Sequence, residues 1–107
     1  MFDITKLLSS FNVGISFVDT LLPIATEIVG AITGKSDSKL AQKANEVIAT
    51  ANATVNSISQ LAAVTEGLIA DGVIIATSSD LAQLKQVRAK LAARNDILEQ
   101  QIKNLGA

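Results

Sequence analysis

Residues 4–33 read ITKLLSSFNVGISFVDTLLPIATEIVGAIT, and the spacing of the residues that are not apolar decides how this stretch folds. Ser9, Asn12, Ser16, Asp19, Pro23, Thr26, Gly30 and Thr33 recur every three or four positions. Between them lie Leu7, Leu8, Phe11, Val13, Ile15, Phe17, Val18, Leu21, Leu22, Ile24, Ile28, Val29 and Ile32. At about 3.6 residues per turn this is a narrow polar stripe on an apolar rod, the reverse of most soluble helices. Such a rod must cover most of its circumference with protein or lipid. Leu8, Phe11, Ile15, Phe17, Val18, Leu22, Ile28 and Val29 are the side chains expected to dock on a membrane or on a partner. Pro23 lacks a backbone donor and fixes φ, so the segment is expected to be kinked, as two helical pieces meeting near Leu21 to Pro23. Gly34 is the expected C-cap of this N-terminal segment, 1–34, and a polar linker follows at 35–38.

A long middle helix is expected over 39–71, with Asp37 or Ser38 as N-cap and Asp71-Gly72 as the stop. Leu40, Ala44, Val47, Ala51, Thr54, Ile58, Leu61, Thr65 and Leu68 alternate at four and three, and Ala41, Ile48, Val55, Ala62 and Ile69 widen that face. Residues 49–56 also alternate with period two, as a strand would. Alanine at those apolar sites forms helices well and strands poorly, which favours helix. No charged residue lies between Glu46 and Glu66, so both sides of this helix can be covered by protein.

Thr77-Ser78-Ser79-Asp80 has the spacing of a capping box and opens a third helix, 78–105. Leu84, Leu91, Leu98 and Leu105 then recur every seven residues, with Leu81, Arg88, Asn95 and Ile102 three positions before each. Read as d and a of a heptad, these eight residues are the expected self-association seam, and Asn95 is the polar insertion that would favour two parallel strands. Flanking pairs Asp80 with Lys85 and Arg94 with Glu99 would then be complementary. The same leucines also suit a face buried in a helical bundle; Arg88 in the seam and Ile97 off it favour that alternative.

Composition narrows the class. The chain has 107 residues, enough for one modest core, with 49% hydrophobic and 18% charged residues and a net charge of −1. Its mean hydropathy is +0.39, wrong for a disordered tail. With neither Cys nor His, disulfide frameworks, thiol nucleophiles and the usual zinc and haem ligands are excluded. There is no Trp or Tyr to stack on bases and no extended basic cluster, so nucleic acid is not expected as a partner. No acid pair sits with a Ser, Lys or Tyr in a catalytic arrangement, and neither cofactor nor small-molecule substrate is expected.

A lone membrane span is marginal. Ten strongly apolar side chains from Val13 to Ile32 contribute roughly −3 to −6 kcal/mol to insertion, and Asp19 and Glu27, at roughly +2.5 to +3.5 kcal/mol each, nearly cancel that. Asp19 should therefore turn away from lipid. Gly30 to Gly34 is a literal G-x-x-x-G, although Gly34 is equally explained as a helix stop. Lys35, Lys39 and Lys43 form a basic strip beside Asp37 and Glu46, as a solvated helix start would.

The expectation is an all-α helical hairpin or bundle, one domain over 1–107. It is read as a non-enzymatic structural or assembly protein, a homo-oligomer docked through residues 1–34 on a membrane or in a larger assembly such as a virion. A membrane-permeabilising, holin-like protein and a soluble helical adaptor are the alternatives.

Overall fold

A computed structural model of the chain describes residues 4–32 and 38–106. They form three helices, α1 (Ile4–Ile32), α2 (Ser38–Ala70) and α3 (Ser78–Gly106), and among the described residues there is no strand. The protein is an all-α bundle. The 49–56 segment is helical, as its alanines favour. All three helices contact one another, in a rod of 54 × 19 × 17 Å.

Each helix enters the core on a stripe spaced three and four. On α1 it is Ile4, Leu8, Phe11, Ile15, Val18, Ala25 and Val29, with half-buried Leu22 filling the gap; on α2 it is Ala44, Ile48, Ala51, Val55, Ile58, Ala62 and Thr65. This period near 3.5 gives the knobs-into-holes packing of bundles. Alanines alternate with Ile and Val on α2, so neighbouring helices approach closely there. One close approach is at Gly14, where an added methyl would collide with the Ile58 side chain.

Both ends of the α2–α3 connection are explained by their sequence. Gly72 adopts a left-handed φ of +79°, Val73 N–H donates to the Leu68 carbonyl at 2.9 Å, and Gly72 N–H donates to that of Ile69 at 3.1 Å. That is a Schellman motif, which satisfies two of the carbonyls a helix end leaves open. Four residues on, Thr77 N–H donates to Asp80 Oδ2 at 2.9 Å and Asp80 N–H donates to Thr77 Oγ1 at 3.1 Å, the reciprocal pair expected from the spacing. Between these caps Ile74 turns inward and closes the bundle end.

Pro23 does not divide α1 into two pieces, because the helix runs unbroken from Ile4 to Ile32. The carbonyl that loses its donor belongs to Asp19, and Pro23 and Asp19 are both exposed, so the freed carbonyl is open to hydration. The expected C-cap Gly34, residues 35–37 of the expected linker 35–38 and Asp37, one of the two expected N-caps, lie outside the described residues; Ser38, the other, is the first residue of α2.

Candidate assembly surface

The two sets of residues singled out in the sequence lie mostly against the bundle's own core. Leu84, Leu91 and Leu98 are buried inside the chain, and Leu105 is half-buried against the same core. Their seam partners are not the a positions. The core-facing stripe of α3 runs through buried Leu84, Val87, Leu91, Leu98 and Gln101 and half-buried Arg94 and Leu105, so it is centred between d and g. Leu81 and Ile102 are exposed, and Arg88 reaches across to Glu66 on α2 at 2.7 Å. Asn95 is half-buried beside α2 and its Nδ2 donates to Glu99 Oε1 of its own helix at 3.4 Å. Of the two readings of these leucines, the face buried in a helical bundle is the one seen, because α1 and α2 cover them.

On α1 the outcome is split. Leu8, Phe11, Ile15, Val18 and Val29, expected to dock outside the chain, are buried in its own core; Leu22 and Ile28 are half-buried. Only Phe17 of that set is exposed, at 48%, and it is joined by Val13 at 68% and Ile24 at 43%. Two neighbouring helices cover about half of the apolar circumference and leave the other half bare.

Polar pairs fix which half is covered. Arg94 grips Asp19 with two bonds, Nε to Oδ1 at 2.9 Å and Nη2 to Oδ2 at 3.0 Å. Gln101 Nε2 donates to Thr26 Oγ1 at 2.8 Å, and Thr26 Oγ1 donates on to the Leu22 carbonyl at 2.9 Å. Asp19 and Thr26 are seven residues apart, as are Arg94 and Gln101, so α1 and α3 run parallel in a single register with a constant offset of 75 residues. Sequence reading missed these pairs, although the matching seven-residue spacings were there to find. Asp19 is 46% exposed, so the ion pair contributes about 0.5 to 1 kcal/mol, and its larger effect is on alignment.

With Asp19 held toward α3 and Gly14 toward α2, the side of α1 nearly opposite the core carries Lys6, Ser10, Val13, Phe17, Thr20, Ile24, Glu27 and Ala31. All eight are exposed. Leu61 and Val64 of α2 are exposed too, at 55% and 58%, on the flank beyond Ile58 that borders α1. Between Lys6 and Glu27 on α1, and between Glu46 and Glu66 on α2, Asp19 is the single charged residue, and it is turned to α3. The face is apolar and uncharged over most of its length.

A second feature lies at the α2–α3 end, a cavity of about 470 Å³ lined by Ile69, Ala70, Leu81 and Leu84 and edged by Glu66, Lys85 and Arg88. Arg88 and Glu66 neutralise each other there. Among the described residues no group of three or more Asp or Glu could hold a metal ion. Comparison with known proteins returns no matching family model, no matching curated protein and no matching solved structure.

Proposed function

We propose that this chain is a non-enzymatic structural or assembly protein that self-associates and docks into a larger assembly by the outer face of α1 and α2. The observation that carries this reading is the exposed apolar set Val13, Phe17, Ile24, Leu61 and Val64, on a stretch without charge between Lys6 and Glu27 of α1, Asp19 turned to α3 aside, and between Glu46 and Glu66 of α2. A helix face left to water normally carries Lys and Glu, and contiguous exposed apolar surface marks a contact site. Low aromatic content and the lack of Cys and His suit a short repeated component of a large particle, a virion among them.

Membrane contact is the second reading. α1 is, among the described residues, the one helix long and apolar enough to cross a bilayer. A holin-like span would require Leu8, Phe11, Ile15 and Val18 to leave the core and Asp19 to leave Arg94, costs that contact between proteins avoids.

Solution mass of the full chain against concentration, with and without detergent, tests the first reading, and flotation with phosphatidylcholine/phosphatidylglycerol vesicles tests the second. Mass rising above one chain without lipid, and falling back in Phe17→Ser with helical content unchanged, is the expected result. A compact monomer at every concentration refutes self-association and returns the chain to the soluble-adaptor class. Flotation of the full chain would put the membrane reading first.

A further inference from the structure

The outer ridge of α1 has a spacing that no neighbour among the described residues uses. Lys6, Ser10, Val13, Phe17, Thr20, Ile24 and Glu27 follow one another at four, three, four, three, four and three, the period of a helix seam, and each is exposed. The three helices already meet each other on their core stripes, so this is a fourth seam without a partner.

Its chemistry is asymmetric along the helix. Apolar Val13, Phe17 and Ile24 occupy the centre, and the Thr20 hydroxyl already donates to the Ser16 carbonyl at 3.1 Å, so covering it strands no donor. One cation, Lys6, ends the ridge, and one anion, Glu27, ends it about 31 Å away at ~1.5 Å per residue. Among the described residues neither has an ion-pair partner within the chain.

A ridge positive at one end and negative at the other, with its midpoint beside Phe17, is complementary to itself turned end for end. We infer that the occupant of this face is a second copy of the chain, packed antiparallel across a two-fold axis near Phe17. Lys6 of each copy then lies within a helical turn of Glu27 of the other, and Val13 and Phe17 of the two copies interdigitate at the axis. Parallel packing would set Lys6 beside Lys6 and Glu27 beside Glu27, a like-charge arrangement that disfavours it. Leu61 and Val64 widen the contact on the α2 side. This inference rests on the self-association proposed above and adds its partner and direction.

The test measures the dimer dissociation constant of the full chain by sedimentation at low ionic strength, for wild type, Lys6→Glu, Glu27→Lys and the double reversal. Both positions are exposed, so folding is unaffected and far-UV dichroism serves as the control. Each single reversal should weaken the dimer about tenfold or more, and the double reversal should restore it to within about threefold of wild type. Because the natural chain has no cysteine, a mixture of Lys6→Cys and Glu27→Cys chains should oxidise to the mixed disulfide ahead of either homodisulfide. A dimer indifferent to both reversals, or one that forms the homodisulfides faster, overturns the antiparallel pairing while self-association stands. A chain monomeric throughout overturns self-association and the pairing with it.

Discussion

Replacing Gln101 with leucine should stabilise the fold, against the usual direction of a core substitution. Gln101 is 6% exposed, its Nε2 donates to Thr26 Oγ1 at 2.8 Å, and its Oε1 is buried with no hydrogen-bond partner. A buried acceptor left unpaired costs about 1 to 3 kcal/mol, while a neutral side-chain hydrogen bond contributes a net ~1 kcal/mol. The replacement removes the first and forfeits the second. Thr26 itself is exposed and keeps its bond to the Leu22 carbonyl, so water can take the place of the lost amide. Leucine adds apolar contact beside Leu98 and Leu105 on the same stripe, and the net expectation is a gain of about 1 to 2 kcal/mol. At about 4 to 8 °C per kcal/mol for a domain of this size, the melting temperature should rise by about 4 to 16 °C. Urea unfolding followed by dichroism measures it directly, and the slope with denaturant should not change. Gln101→Ala is the control, because it removes the same carbonyl but leaves a void. Loss of about 1 kcal/mol or more in Gln101→Leu, at unchanged slope, would mean that the amide contributes more than its orphaned oxygen costs, and the reasoning would fail.

Three further outcomes follow from the packing. Leu98→Ala, at the most deeply buried leucine of α3, should cost about 2 to 5 kcal/mol in the same unfolding assay. A double-mutant cycle of Asp19→Asn and Arg94→Gln should return a coupling of about 0.5 to 1 kcal/mol that shrinks in high salt; a coupling insensitive to salt would contradict the half-exposed geometry. Gly14→Ala should stabilise by about 1 kcal/mol more in an Ile58→Val background than in wild type, since trimming Ile58 removes the atom the new methyl would strike; equal effects in both would mean the helices are not in contact there.

The elements of this fold were legible in the sequence because each boundary has a local cause. The box at Thr77 to Asp80 and the stop at Asp71-Gly72 depend on residues within a turn of the boundary, and both form. Pro23, expected to part α1 into two pieces, leaves it unbroken for a related reason. A proline removes one bond from a helix otherwise held by packing along its whole length, and the position of Asp19 and Pro23 on the wet side makes that loss small. What could not be read locally is which part of an apolar circumference faces which neighbour. Leu61 belongs to the four-and-three alternation of α2 yet ends up exposed, while Ile48, Val55 and Ala62, taken as the widening of that face, lie in the core. On α3 the leucine spacing marks a buried face but not which residues flank it. Leucine spacing is blind to whether Arg88 or Arg94 shares the stripe, and that depends on an acid 75 residues away.

The pairs at that offset account for more than their own stability. Sliding α3 by one heptad against α1 would keep every leucine but the terminal one in a hole, so apolar packing chooses the register only weakly. It would, however, move Arg94 from Asp19 to Asn12 or Thr26, and would leave Asp19 opposite Val87 or Gln101 without its cation. A half-exposed ion pair and one amide are weak as glue but decisive as an index, the use for which polar groups in a seam are best attested. Rotation is indexed along with translation. Turning α1 to bury Val13 and Phe17 would swing Asp19 out of reach of Arg94 and move Gly14 away from the Ile58 side chain that packs against it. The ridge from Lys6 to Glu27 is therefore held outward by residues not on it, and its exposure belongs to the aligned bundle rather than to a loosely packed helix.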